Sequence, residues 1–410
     1  MRATSDDDAT IGMRLRALRL WRQMTLAEVA GLSGVSAAYL SMAERGLRSL
    51  DRRSMISGLA AALRVSETEL TGGPHLSSDP VQSAPHSAIP ALRVALQTNT
   101  LTTPAVDDAR TLADLAQATS GQLVPLLRAG DYAAIGCLLP GVLDELHYHV
   151  AAPADEAAQR LALETLVEAC VCAAFTAKHL NYPDLAHVAA RRAMDAAGVL
   201  DDPVALGKAD FAWLHTLPRA GSLDRNLAAA ERAACALESC ARDPAGLSVL
   251  GMLTLTTSLA AAALQRGDTA LHWLDEAGGM AARIPDEPRR NWQSFSATNV
   301  GIWRVTIAVE RGETGGTVRE LAEQVSLDHL EAKSSRRATF FADVGCGLAR
   351  EPRTRAEAVR WLRQAEEAAP QLIRNSATAR ESVAYLLHRA TAAAGGRELR
   401  GLAARMGLPH

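Results

Sequence analysis

Apolar residues recur at three- and four-residue intervals over most of the chain, the spacing of one face of an α-helix. Between residues 11 and 70 the pattern breaks into five short helical segments. The first runs from about Ile11 to Arg22, with Leu15 and Leu18 on one face. Thr25-Leu26-Ala27-Glu28 reads as a capping box, in which hydroxyl and carboxylate satisfy orphan backbone donors. It opens a second helix that stops near Ser33-Gly34, where glycine takes positive φ without a Cβ clash. Ser36 caps a third helix, Ala37 to Arg45, closed by Gly46. Asp51 is expected to open a fourth helix through Leu63, and Ser66 to cap a short fifth. Leu15, Leu18, Val29, Val35, Leu40, Leu59 and Leu63 form the expected core of this unit.

Residues 72–90 read GGPHLSSDPVQSAPHSAIP, whose four prolines, with serine and glycine, predict a linker without regular structure. The chain thus divides into a head at 11–72, a linker at 73–90 and a body at 91–410. In the body, helical segments follow one another with no convincing strand. Turn signals recur at Gly130-Asp131, Tyr182-Pro183, Gly221-Ser222, Gly267-Asp268, Gly312-Glu313 and Glu351-Pro352, spaced 39 to 52 residues apart. That period belongs to a solenoid of helix pairs. The clearest unit spans 259–285: one helix ends at Arg266, and a second carries Ala270, Leu274, Ala277 and Ala281 at helical spacing.

Composition agrees with an all-α chain: alanine is abundant and aromatics are 4%. No stretch approaches 18 consecutive apolar residues, and the opening MRATSDDDAT is too acidic for a signal peptide, so no membrane association is expected. Six cysteines form no CxxC pair, which predicts reduced thiols and a cytoplasmic protein. Only three of the 43 basic residues are lysine: Lys178, Lys208 and Lys333. Charge is uneven. Residues 11–64 hold nine arginines against three acids, a net +6, so the rest of the chain carries −9 of the overall −3. A basic unit on an acidic body suggests one module that faces a polyanion and another that avoids it.

The ordered motifs LRxLR, TLAEVA, SGVS, YLSxxERG and LAAALRVS resemble the XRE family of phage-repressor-like helix-turn-helix proteins, over about 60 of the 410 residues. The resemblance implies a five-helix domain that places its third helix in the major groove and acts in pairs on inverted-repeat double-stranded operators. By that resemblance Thr25, Ser36, Ala37, Ala38, Tyr39, Ser41 and Met42 lie on or near the DNA-facing side. Tyr39 and Ser41 then bond phosphates or bases, while alanine and methionine make apolar contacts. Relatives often hold glutamine at 26, 37 or 38. Here Leu26, Ala37 and Ala38 shift the weight to Arg45, Arg48, Arg52 and Arg53, as contacts to phosphate or minor groove. Arg19 and Glu44 fall where many relatives hold a structural ion pair.

The repeats resemble degenerate tetratricopeptide repeats, and head plus repeats resemble peptide-sensing regulators of the RRNPP type. This implies an α-solenoid with a concave groove for a peptide or small-molecule effector, and a homodimer. Candidate groove residues are Asn299 and Trp303, four apart on one helical face, with Trp213, Trp292 and Arg304. An alternative stays open: a body that binds a partner protein and takes no small effector. No catalytic constellation, cofactor loop or metal set emerges. His147 and His149 point to different sides of a helix, as do Cys170 and Cys172, and Gly345-Cys346-Gly347 lacks a third spaced glycine and a preceding strand. Glu366-Glu367 reads as a solvated face.

Overall fold

The computed structural model describes residues 10–76, 79–390 and 396–409; the acidic first nine residues lie outside these. Among the described residues all regular structure is helical. The head contains α1 (Ile11–Trp21), α2 (Leu26–Ser33), α3 (Ala37–Glu44), α4 (Arg53–Leu63) and α5 (Glu67–Thr71). Thr25 and Glu28 close the capping box on α2, and Ser66 with Glu69 closes a second on α5. Gly34 takes φ +71° at the turn before α3. Leu15, Val29, Leu40, Leu59 and Leu63 are buried together, with Leu18 and Val35 packed against them. Gly12 lets α1 approach α3 closely, since a Cβ there would stand 2.2 Å from the Ala43 carbonyl oxygen.

Two expectations fail locally. Asp51 does not open α4. Arg52 holds that place without a side-chain cap, while buried Asp51 binds Arg350 and Ser382 of the body. The linker is not irregular either, since α6 (Pro80–Ser87) and α7 (Ile89–Thr98) lie within or across it. Asp79 caps α6 by accepting from the Val81 and Gln82 amides. Pro80 and Pro90 sit in first turns, where a missing N–H breaks no bond.

The body begins with α8 (Leu112–Ala118), which passes through a π-helical turn at Thr119–Leu123 into α9 (Val124–Ala129). Then follow α10 (Tyr132–Ala151), α11 (Glu156–His179), α12 (Pro183–Leu200), α13 (Pro203–Leu214), α14 (Leu223–Glu238), α15 (Pro244–Ala263) and α16 (Gly267–Ala281). The chain ends with α17 (Ala297–Arg311), α18 (Gly315–Glu323), α19 (Ser335–Ala349), α20 (Arg355–Ala368), α21 (Pro370–Arg374), α22 (Ala377–Arg389) and α23 (Gly396–Arg405). Each of the six turn signals falls at the junction of two successive helices, with Pro183 opening α12 and Gly267-Asp268 opening α16. Ala270, Leu274, Ala277 and Ala281 are buried, as their spacing predicted.

The first helices α11, α13, α15, α17 and α19 each pack on the next, whereas their partners α12, α14, α16, α18 and α20 do not pack closely on one another. Layers that touch on one side and splay on the other must curve, so the first helices line the inside. By length and composition α15 is apolar enough to cross a membrane, but 83% of its apolar window is buried within the body, as an inner helix requires. The curve brings the array's ends together. Gln371 accepts from the Ala133 amide at 2.9 Å and donates to Asp131 at 3.0 Å, and Asn181 donates to the Asn375 carbonyl at 2.6 Å. Glu366 is buried, against the expectation of a solvated face: Pro370 turns the chain so that Arg374 and Arg405 both converge on it.

Candidate nucleic-acid interface and the inner face of the repeats

The chain bends by 110° between α2 and α3, inside the range of helix-turn-helix units. Ser36 caps α3 by accepting from the Tyr39 amide at 3.1 Å. Ser36, Ala37 and Ala38 are exposed there, as are Thr25, Arg45 and Arg48, whereas Ser41 and Met42 are half-buried. Arg19 and Glu44 form a bidentate pair at 2.6 and 2.8 Å beneath α3, as the resemblance implied. Tyr39 takes another role. Its hydroxyl donates to the Ser49 carbonyl at 2.9 Å, and burial, reinforced by Asp51, pushes its pKa up to about 12. It pins the chain after α3 and turns its polar atom away from solvent.

Arg52 and Arg53 also depart from expectation, because they face the body. Arg53 lies 3.9 Å from Glu310 and 3.8 Å from Asp343. Glu310, in the last turn of α17, accepts from the Ser54 amide at 2.8 Å and the Arg53 amide at 3.2 Å. These are orphan donors of a helix start, so α4 is capped by a carboxylate more than 250 residues away. Burial pushes the Glu310 carboxyl upward, but Arg53 and the Ser54 bonds hold it below the usual range. Arg52 lies beside Gly312, which closes α17, where a helix C-terminus favours a cation. Further contacts complete the seat: Asp51 with Arg350 at 3.1 Å, Glu67 with Arg219 at 2.9 Å, and Glu381 accepting from the Ile11 and Leu50 amides. Several come from the C-terminal ends of inner helices, so the head sits on that end of the array. The exposed face of α3 remains open.

The inner face holds residues that sequence reasoning missed. Lys178, in the last turn of α11, donates to His215 Nδ1 at 3.2 Å, and His215 Nε2 lies 3.4 Å from Thr256 Oγ1. Thr256 donates onward to the Met252 carbonyl at 2.9 Å. Burial first, then Lys178 and Arg336, pushes the His215 pKa down, so the ring is neutral and its Nδ1 accepts from the Lys178 side chain. Arg336 of α19 stacks over the Trp303 ring at 5.7 Å. Phe175, Phe211 and Trp292 pack as neighbouring rings, and Trp292 Nε1 donates to Glu168 at 3.4 Å.

Of the sequence candidates, Trp303 meets Arg336, and Trp292 joins the ring cluster. Asn299 is wholly buried, its amide directed at Met252 and the Gln293 carbonyl. Trp213 is half-buried against the core, and Arg304 pairs outward with Asp275 of α16 at 3.6 Å. The one signal that pointed to Lys178 was its rarity: two of the chain's three lysines lie on inner helices. Among the described residues no group of three or more metal-ligating side chains occurs; His147 bonds its own helix at Leu143, and His149 bonds Arg110.

Residues 10–71 match a family described as a helix-turn-helix domain. The HTH-type transcriptional repressor RghR of Bacillus subtilis (strain 168) is 43% identical over 56 residues, 14% of this chain and 42% of that protein. The chain therefore spans under half the length of this curated relative. A crystal structure of Bacillus thuringiensis PlcR in complex with the peptide PapR7 and DNA aligns over 77% of this chain and 92% of that one, at 11% identity and a TM-score of 0.29. At that score the two folds are not equated. The head is a helix-turn-helix domain, and the rest of the described chain is a curved array of helix pairs.

Proposed function

We propose that this protein is a DNA-binding transcriptional regulator of the cytoplasm whose repeat body senses a peptide or small molecule and pairs two chains on an inverted-repeat operator. The observation that carries this reading is the open N-terminal turn of α3. Ser36, Ala37 and Ala38 are exposed there, and Arg45 and Arg48 flank them. Groove-binding helices present their N-terminal side chains to base edges, and arginines beside them anchor phosphates. The kinship of the head with a repressor's helix-turn-helix supports it.

The seat of the head supports a route for control. Arg53, Asp51 and Glu67 tie the domain to inner helices and their connecting turn, so a ligand that shifts those helices moves the head. Two half-sites lie about 34 Å apart on DNA, so a modest rotation of each head decides whether both engage. Fluorescence-anisotropy titration of full-length protein on fragments enriched from random duplex tests the core of this reading. The expected result is saturable binding whose log affinity falls linearly with log salt. Absent or salt-independent binding refutes it.

A further inference from the structure

Lys178 and Arg336 stand on inner helices without a carboxylate at ion-pair distance among the described residues, although the charge of Asp343 reaches Arg336. Arg336 makes no hydrogen bond or ion pair with any described residue, and Lys178 has only the neutral His215 and the Phe175 ring, 5.3 Å from its ammonium. Four acids of this region have nearer partners than these two cations. Glu168 binds Lys208 and Trp292, Asp343 accepts from Thr306 at 2.6 Å, Glu310 caps α4, and Glu67 holds Arg219. A half-buried cation without a partner is unfavourable, and two sharing one space are more so. The field of Arg336 reaches Lys178, His179 and His215 alike, so the two cations destabilise one another across the interior. The indole N–H of Trp303, under the Arg336 guanidinium, is also buried without an acceptor.

We propose that this cluster binds a small molecule carrying an oxyanion beside an aromatic or acyl body, with the oxyanion held by Lys178 and Arg336 and the apolar part laid against the partly exposed Trp292, which the buried Phe175 and Phe211 back. The proposal rests on reading the body as a sensor, and it names the ligand's chemistry. The planar guanidinium offers a forked donor to phosphate or carboxylate, and the ammonium adds a point charge. Lys178 brings a second signature. Burial, then the charges of Arg219, Arg53 and Arg336, lowers its pKa to about 7, and the facing His179 and His215 are held neutral. Near pH 7.5 the amine is largely uncharged, so an arriving oxyanion restores the ammonium and draws a proton from solvent.

Titration calorimetry of the full chain at pH 7.5, with phenyl phosphate, benzoate and inorganic phosphate in two buffers of different ionisation enthalpy, tests this. Phenyl phosphate or benzoate is expected to bind saturably and more tightly than inorganic phosphate, with proton uptake; whichever ring compound binds better identifies the oxyanion as phosphate or carboxylate. Lys178→Met should abolish the uptake and weaken binding at least about tenfold. Arg336→Lys should weaken binding severalfold and keep the uptake. Without ligand, Lys178→Met should melt no lower than the parent, which shows that it folds. No saturable binding of any probe, or binding indifferent to Lys178→Met, overturns the proposal. DNA titration of the same samples reads the head separately, so intact DNA binding beside absent oxyanion binding would refute this site alone.

Discussion

Replacing Glu310 with alanine tests whether the head is held by a borrowed helix cap. The carboxylate is almost wholly buried and accepts from two amides in the first turn of α4. Loss of a helix cap costs about 0.5–2 kcal/mol, and hydrogen bonds to a charged acceptor lie at the upper end of such values. The ion pair with Arg53 adds less, because that side chain is 30% exposed and Asp343 still holds it at 3.8 Å. Together these give about 1.5–3 kcal/mol, a roughly tenfold to 150-fold shift toward the unseated head. Native-state amide exchange reads this directly. The amides of Arg53 and Ser54 should lose one to two decades of protection in the variant, while those inside α2 keep theirs. Unchanged exchange at Arg53 and Ser54 would show that the cap contributes nothing and that the head is held by other contacts.

Arg19→Met leaves Glu44 buried and unpaired beneath α3 and should destabilise the head by about 3–5 kcal/mol in urea denaturation; a loss below about 1 kcal/mol would contradict the pairing. The double variant Arg45→Ala, Arg48→Ala should lower the salt slope of DNA binding by about two, because each phosphate contact contributes about 0.9; an unchanged slope removes both from the interface. Glu381 gives a pH signature. Burial, and secondarily Asp51, raises its carboxyl from 4.5 to about 7 against the pull of the Ile11 and Leu50 amides and Arg14. The folded state therefore keeps a proton that the unfolded chain has released. The stability it contributes is full below pH 4.5 and is lost as pH rises through 7, on the order of 3 kcal/mol. Melting temperature should fall across that window and fall less in Glu381→Gln; parallel curves would exclude the effect.

Local signals in the sequence located the head and the repeat turns because they act over a few residues. Thr25 with Glu28, Ser36 with the Tyr39 amide, and Gly34 at positive φ need only near neighbours. The residues misjudged are those whose partners lie far along the chain. Asp51 looked like a cap until Arg350 claimed it, Arg53 looked free until Glu310 and Asp343 met it, and Glu366 looked solvated until Arg405 folded back. The inner face was the least legible. Which helices lie inside depends on curvature, and Lys178 and Arg336 come together only when layers far apart in sequence share one interior.

The meeting of the array's first and last layers bears on how the molecule comes apart. Open solenoids unravel from their tips, because an end layer has only one neighbour. Here the Gln371 amide and the Asn375 carbonyl give the end layers a second neighbour. Removing an end layer then breaks two boundaries instead of one. Denaturation should therefore be concerted, and fraying confined to segments outside the closure.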